Sequence, residues 1–221
     1  MSQTTTVLPA KLHKDEVAAV YKSKAGVYDI WGRLTESKAQ ARCIEVANIQ
    51  DGEAVLEVAV GTGLNFQHIL ARNPNGVNEG VDLTEAMLAK AHEKAESVGT
   101  TNYRLRVGDA YHLDFSDGCF DLLINNYMFD LLPEADFIQV VQEFKRVLRP
   151  DGRLVLLNMA QGEHWHNQIW DRIYRFQPSW MGGCRGVALR DYVQAAGFTQ
   201  INREFYSQMT FPSEIIYAVK P

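Results

Sequence analysis

The chain has 221 residues, of which 46% are hydrophobic and 22% charged, and its formal net charge is −5. That length suits one α/β domain with a well-buried core and is short for two, and the acidic balance speaks against a nucleic-acid binder, which gathers basic residues to neutralise phosphates. Cys43, Cys119 and Cys184 stand apart and odd in number, so neither a disulfide framework nor a CxxC metal site is expected and a reducing, cytoplasmic setting fits; residues 1–12 lack the apolar core of a signal peptide, and no run approaches the ~18–20 apolar residues of a membrane span.

From His13 to Tyr28 the residues Val17, Val20, Tyr21, Ala25 and Tyr28 recur at mostly helical spacing and predict one or two short helices. A second helical segment, from about Thr35 to Ala47, carries Ala39, Cys43 and Val46 on one face. Ala54 to Phe66 reads as a short buried strand (Val55, Leu56, Val58). It breaks at Gly61-Thr62-Gly63 and runs into a helix with Phe66, Ile69 and Leu70 that ends near Asn73-Pro74-Asn75-Gly76. Gly80-Val81-Asp82-Leu83 closes a second strand. Thr84 is a good N-cap for a helix that buries Met87, Leu88, Ala91, Ala95 and Val98 and stops at Gly99. Tyr103, Leu105 and Val107 alternate as a third strand, and Phe120 to Ile124 is a nearly continuous apolar fourth strand, as expected where both sheet faces are covered.

Phe137, Val140, Val141, Phe144, Val147 and Leu148 mark another helix, on which Lys145 and Arg146, with Arg149, read as a solvated face. Pro150-Asp151-Gly152 turns into a fifth strand, Leu154 to Leu157. Residues 160–190 are rich in aromatics, among them Trp165, Trp170, Tyr174, Phe176 and Trp180. A short helix with Leu189, Val193 and Ala196 ends at Gly197, and two strand-like runs without a helix between them, Ile201 to Tyr206 and Ile215 to Val219, should pair antiparallel. Strand–helix alternation of this kind predicts an α/β fold with a doubly wound sheet: five parallel strands and a closing antiparallel hairpin. The chain reads as a single domain over 1–221, with N-terminal cap helices at 10–48 and an aromatic-rich substrate cap inserted at 160–190.

The strand, glycine turn and helix start around Gly61 make a cradle for a polar ligand, because the helix N-terminus offers unpaired N–H groups. A dinucleotide fold would place a third glycine where Phe66 stands, so a pyrophosphate fits poorly. Glu57 precedes the turn, where a carboxylate attracts an amino group. Asp82 ends the second strand, where an acid can hydrogen-bond ribose hydroxyls. Asp109-Ala110 follows the third strand and suits an adenine edge. The pattern describes a nucleoside with an amino-acid tail and no phosphates.

With these residues in order, the chain resembles the class I S-adenosylmethionine-dependent methyltransferases, most closely the ubiquinone/menaquinone-biosynthesis and phospholipid N-methyltransferase-like group. Glu57, Ala59, Gly61 and Gly63 match the family's glycine loop, with Ala59 in place of the usual first glycine. Val81 to Leu88 resembles the second motif, Gly108-Asp109-Ala110 the third, Phe120-Asp121 through Asn125-Asn126-Tyr127 the strand facing the methyl group, and Leu148 to Leu154 the last signature. The resemblance implies a Rossmann-like seven-stranded mixed sheet with a helical cap and a cofactor, S-adenosyl-L-methionine, leaving as S-adenosyl-L-homocysteine. It implies cofactor contacts from Tyr21, Tyr28, Glu57, Gly61, Thr62, Gly63, Asp82, Leu83, Met87, Asp109, Ala110 and Asn125, and substrate contacts from Tyr127, Asp130, His164 and Arg185.

Methyl transfer from a sulfonium needs alignment and exclusion of water more than a catalytic constellation. Should the acceptor carry a proton, Tyr28, Asp130 and His166 are candidate bases, with Tyr21 and His164 beside them, and none is singled out. His164 and His166 at i and i+2 share no helix face and have no partner at a metal-ligand spacing, so no metal is expected. Cys184, without an evident base, reads as a buried small hydrophobe or an inert surface thiol.

The expected activity is methyl transfer to a small-molecule, quinone-like or lipid head-group acceptor, with no nucleic-acid partner and with peripheral membrane contact open through Trp165, Trp170 and Trp180. The alternatives are a cofactor-binding protein with a regulatory or vestigial role and a nucleic-acid methyltransferase. The oligomeric state and the methylated element are not written in the sequence.

Overall fold

The computed structural model describes residues 7–10, 34–163, 167–177, 181 and 183–221. Seven strands form one sheet: β1 (Ala54–Val58), β2 (Val77–Asp82), β3 (Tyr103–Val107), β4 (Phe120–Asn126), β5 (Leu148–Met159), β6 (Thr199–Gln208) and β7 (Phe211–Val219). Their spatial order is β3-β2-β1-β4-β5-β7-β6. The first five run parallel, and β7 lies antiparallel to both β5 and β6. The connecting helices are α1 (Ser37–Ala47), α2 (Phe66–Arg72), α3 (Glu85–Val98), α4 (Phe137–Val147), α5 (Gln168–Phe176) and α6 (Arg190–Ala195). This is the Rossmann-like mixed sheet that the alternation of elements predicts.

The continuous apolar runs of the central strands follow from a core on each face of the sheet. Successive side chains point to opposite faces, so Leu123, Leu154 and Leu156 meet α4 and α6, while Leu122, Ile124, Val155 and Leu157 meet α1, α2 and α3. Phe137, Val140, Val141, Phe144 and Val147 give α4 a fully buried stripe. On α1 the buried stripe is Ala39, Cys43, Ile44 and Ala47. Val46, expected on that face, is only half-buried, because the i, i+4 row through 39, 43 and 47 sets the contact line and Ile44 fills its other side.

The fifth strand starts earlier than Leu154. Leu148 pairs with Phe120, and the ladder resumes at Leu122 with Arg153 after a register shift, so Pro150-Asp151-Gly152 bulges within the strand instead of preceding it. Gly63 has φ +82°, and a Cβ there would lie 2.8 Å from the Cα of Ala91. Its lack of a side chain lets the loop pack directly on α3.

Candidate active site

In an open α/β sheet ligands collect beyond the carboxyl ends of the strands, where strand order reverses. Here the reversal falls between β1 and β4. A cavity of about 570 Å³ opens there, lined by the ends of β1, β2 and β4, the loops behind β1 and β3, and Glu36 and Gln40 near the start of α1. Its volume is that of a pocket for a ligand of nucleoside size or larger.

Glu57 is the last acid of β1 and is 2% exposed. Its Oε1 accepts from Asn126 Nδ2 at 3.1 Å, and its Oε2 has no hydrogen-bond partner. Burial, with a smaller contribution from the charge of Asp82, pushes the Glu57 carboxyl up to about 8 against the relief from Asn126. A buried carboxylate oxygen without a donor is destabilising until a donor arrives. A cationic amino group is such a donor.

Asp82 organises the opposite wall. Its Oδ2 accepts from the Gly61 N–H at 2.8 Å, and its Oδ1 accepts from the Thr84 N–H at 3.0 Å and the Thr84 hydroxyl at 3.1 Å. Thr84 thus sits at the N-cap of α3 as expected, but its hydroxyl makes no capping bond and is given to Asp82. Burial raises the Asp82 carboxyl, and these donors oppose the rise. The Leu83 N–H adds to these donors, so a ligand hydroxyl here would share the carboxylate's roughly four acceptor sites with them. Leu83, Met87 and Ala110 supply apolar surface between the acids. Asp109 also lines the cavity and accepts from the Tyr111 N–H at 3.2 Å, closing its own turn.

Of the residues expected at the cofactor, Glu57, Gly61, Thr62, Asp82, Leu83, Met87, Asp109 and Ala110 converge on this cavity. Gly63 does not line it and serves the packing on α3. Asn125 is a correction: it is fully buried and donates Nδ2 to the Val58 carbonyl at 2.8 Å, tying β4 to β1. Its neighbour Asn126 faces the cavity instead, as the two-residue period of a strand requires. Tyr21, Tyr28, His164 and His166, and with them most of the 10–48 cap, lie outside the described residues.

At the acceptor end Tyr127 lines the cavity in a left-handed conformation, φ +48°. Its hydroxyl pairs with Ser213 Oγ at 2.9 Å, and burial holds it well above the usual phenol value. Tyr127 is therefore a hydrogen-bonding wall, not a base. Asp130 and Arg185 are corrected. Asp130 is fully buried and absent from the lining; burial raises its carboxyl to about 7, with Cys184 and Arg185 giving partial relief.

Arg185 is also fully buried and spends its guanidinium on the carbonyls of Leu8, Asp130 (2.8 Å) and Leu132. Neutral carbonyls satisfy its donors, so it faces no substrate and clasps residues 7–10 to the loop after β4. Trp170 turns inward, packing edge-on to Phe211 and donating Nε1 to Thr210 Oγ1 at 3.1 Å. Among the described residues no group of three potential metal ligands stands together, and no helix is long and apolar enough to cross a membrane.

The sequence of residues 55–152 matches the methyltransferase-domain family. The chain is 37% identical over 149 residues to the phosphatidylethanolamine N-methyltransferase of Cereibacter sphaeroides, covering 65% of this chain and 68% of that protein. It is 27% identical over 154 residues to the demethylmenaquinone methyltransferase of Bacillus cytotoxicus, covering 67% of this chain and 64% of that protein. A solved S-adenosylmethionine-dependent methyltransferase of Thermotoga maritima shares the fold at a TM-score of 0.70 and 15% identity, over 92% of this chain and 99% of that one. The chain belongs to the S-adenosylmethionine-dependent methyltransferases. It is an enzyme of methyl transfer, and S-adenosylmethionine is its cofactor.

Proposed function

We propose that this methyltransferase acts on the primary amine of an ethanolamine-type lipid head group. The observation that carries the reading is the charge of the cavity. Its described lining includes Glu36, Glu57, Asp82, Asp109 and Asp136 and no lysine, arginine or histidine. Glu57, Asp82 and Asp109 belong to the cofactor half and Asp136 accepts from the Tyr111 hydroxyl, which leaves Glu36, with Gln40, Tyr127, Leu131 and Cys184 also in the lining, for the acceptor. A carboxyl set among apolar and aromatic surface suits an ammonium group on an otherwise weakly polar molecule. The likeness to a phosphatidylethanolamine N-methyltransferase supports the same class of acceptor.

S-adenosylmethionine supplies an activated methyl group on a sulfonium. In this reading the unpartnered Oε2 of Glu57 takes the cofactor's amino group, Asp82 takes the ribose hydroxyls, and the backbone of Gly61 and Thr62 borders the methionine tail. Leu83, Met87 and Ala110 flank the adenine, while Tyr127 and Leu131 bound the acceptor and exclude water. In the same reading the chain works as a single domain in which residues 10–48 and 160–190 are assigned as caps, with Tyr21 and Tyr28 as cofactor residues and His164 as a substrate residue. The enzyme would work from the cytoplasm, touching a membrane only peripherally.

The test is transfer of labelled methyl groups to three separate acceptors: vesicles containing phosphatidylethanolamine, demethylated quinone in detergent, and total RNA. Label in N-methylated lipid is the expected result. Label in the quinone or the RNA alone would replace the reading, and tight cofactor binding with label in none would favour a binding protein.

A further inference from the structure

Of the bases suggested by sequence, Asp130 is turned into the core; Tyr28 and His166 lie outside the described residues. Glu36 is a different case. It occupies the N-cap position of α1 yet makes no side-chain capping bond, so its carboxyl is not used at the helix end, where such a group ordinarily goes. It lines the cavity instead. Gln40, one turn along, donates Nε2 to Glu36 Oε2 at 3.2 Å and fixes the carboxyl plane. Oε1 accepts no hydrogen bond from the described residues, which leaves an acceptor atom open to the cavity.

Resting on the amine reading above, we propose that Glu36 is the group that binds the acceptor ammonium and takes its proton. The ammonium N–H bond breaks, the proton passes to Glu36 Oε1, and the electron pair stays on nitrogen. That pair forms the new N–C bond as the S–C bond of the cofactor breaks with its electrons to sulfur. The surroundings suit the task. Burial, with the nearby Asp130 charge adding, lifts the Glu36 carboxyl to about 8 against the Gln40 hydrogen bond, within a few units of a primary amine at about 10. Among the described groups that face this corner are Asp130, Tyr127, Cys43 and Cys184, none of which carries positive charge, and the Arg185 guanidinium is engaged by carbonyls. Among the described residues lining the cavity no fixed cation competes for the Glu36 carboxylate.

The experiment compares the full-length enzyme with Glu36→Gln and Glu36→Asp on phosphatidylethanolamine vesicles, with S-adenosylhomocysteine binding measured in parallel by calorimetry. Glu36→Gln should lose about 100-fold in kcat near neutral pH and keep its homocysteine-product affinity within about twofold. The lost rate should return as pH approaches the amine's own pKa, and Glu36→Asp should restore part of it. Wild-type kcat at neutral pH in the Gln variant, or a loss of cofactor-product affinity equal to the loss of rate, overturns the assignment. Should the wild type methylate only an acceptor without an N–H, both readings fall together; an active wild type with an indifferent Gln variant removes this one alone.

Discussion

At the scale of single residues the cofactor half is governed by Glu57, a carboxyl that the fold buries with one oxygen unpartnered. Glu57→Gln removes the charge while keeping the shape. The variant is expected to bind S-adenosylhomocysteine at least about tenfold more weakly, roughly 1.4 kcal/mol, while its ligand-free form melts no lower than wild type, because a carboxyl that burial disfavours has gone. Calorimetry and a thermal melt check the two halves; unchanged affinity would remove Glu57 from the amino-group site. Ala59 makes the converse case. It stands where the family usually has glycine and holds φ +60°, a left-handed strain of about 1–2 kcal/mol for a residue with a Cβ. Ala59→Gly relieves that strain but frees the unfolded chain by about 0.5–1 kcal/mol, so the urea midpoint should stay level or rise slightly, while Ala59→Val should lower it.

Glu57 and Asp82 were legible in the sequence because the acids flank the turn at fixed offsets along two strands. Asn125 was misassigned because the period of a strand says that neighbours face apart without saying which one faces the ligand. Glu36 could not be read at all. An acid ahead of a helix looks like a cap, and only the tertiary fold brings it to Tyr127.

Among the elements, the turn after β1 and helix α3 behave as one unit. Asp82 holds the Gly61 N–H and the start of α3 together, Lys94 of α3 donates to the Thr62 carbonyl at 2.9 Å, and Gly63 lies against Ala91. Gly63→Ala places a methyl group against helix backbone that cannot yield. It should cost about 1–3 kcal/mol in chemical denaturation and weaken cofactor binding with it, although residue 63 does not line the cavity; a variant of wild-type stability would show that the contact relaxes freely.

A second unit is the clasp around Arg185. Arg185→Met leaves the carbonyls of Leu8, Asp130 and Leu132 without its donors and should lower stability by about 3 kcal/mol or more. Methyl transfer by the fraction that remains folded should keep its KM for the acceptor, the distinction between a clasp and a substrate residue. The strands, helices and their order were plain in the hydrophobic periodicity. This clasp was not, because an arginine beside glycines in an aromatic segment reads as a substrate contact until the carbonyls that surround it are known.

For the molecule as a whole, the same buried acids set how stability responds to pH. Glu36 and Glu57 rise from 4.5 to about 8 on folding and Asp130 from 3.8 to about 7, each mainly by burial, and Glu214 and Asp82 shift in the same direction. Between these limits the folded chain holds protons that the unfolded chain has released. Stability therefore falls as pH rises through the window, since its slope follows protons bound in the unfolded state minus those bound in the native state. His68, held below its ordinary value by partial burial and Arg72, works the other way, but it is one exposed group against several enclosed acids. The carboxyls lowered by partners, Asp51, Glu143 and Glu204, are ionised in both states across the window and leave the slope unchanged.

The ligand-free enzyme should accordingly melt at a lower temperature near pH 8.5 than near pH 5.5. Saturating S-adenosylhomocysteine should reduce the drop, because an ammonium beside Glu57 stabilises its ionised form. Glu57→Gln should flatten the profile of the free protein and remove most of the ligand's effect on its slope. A melting temperature that is constant or rises over that range would mean that these acids are ionised in the folded state without a ligand. In that event the cavity would carry its negative charge before any ligand arrives, and saturating S-adenosylhomocysteine should leave the slope of the profile unchanged.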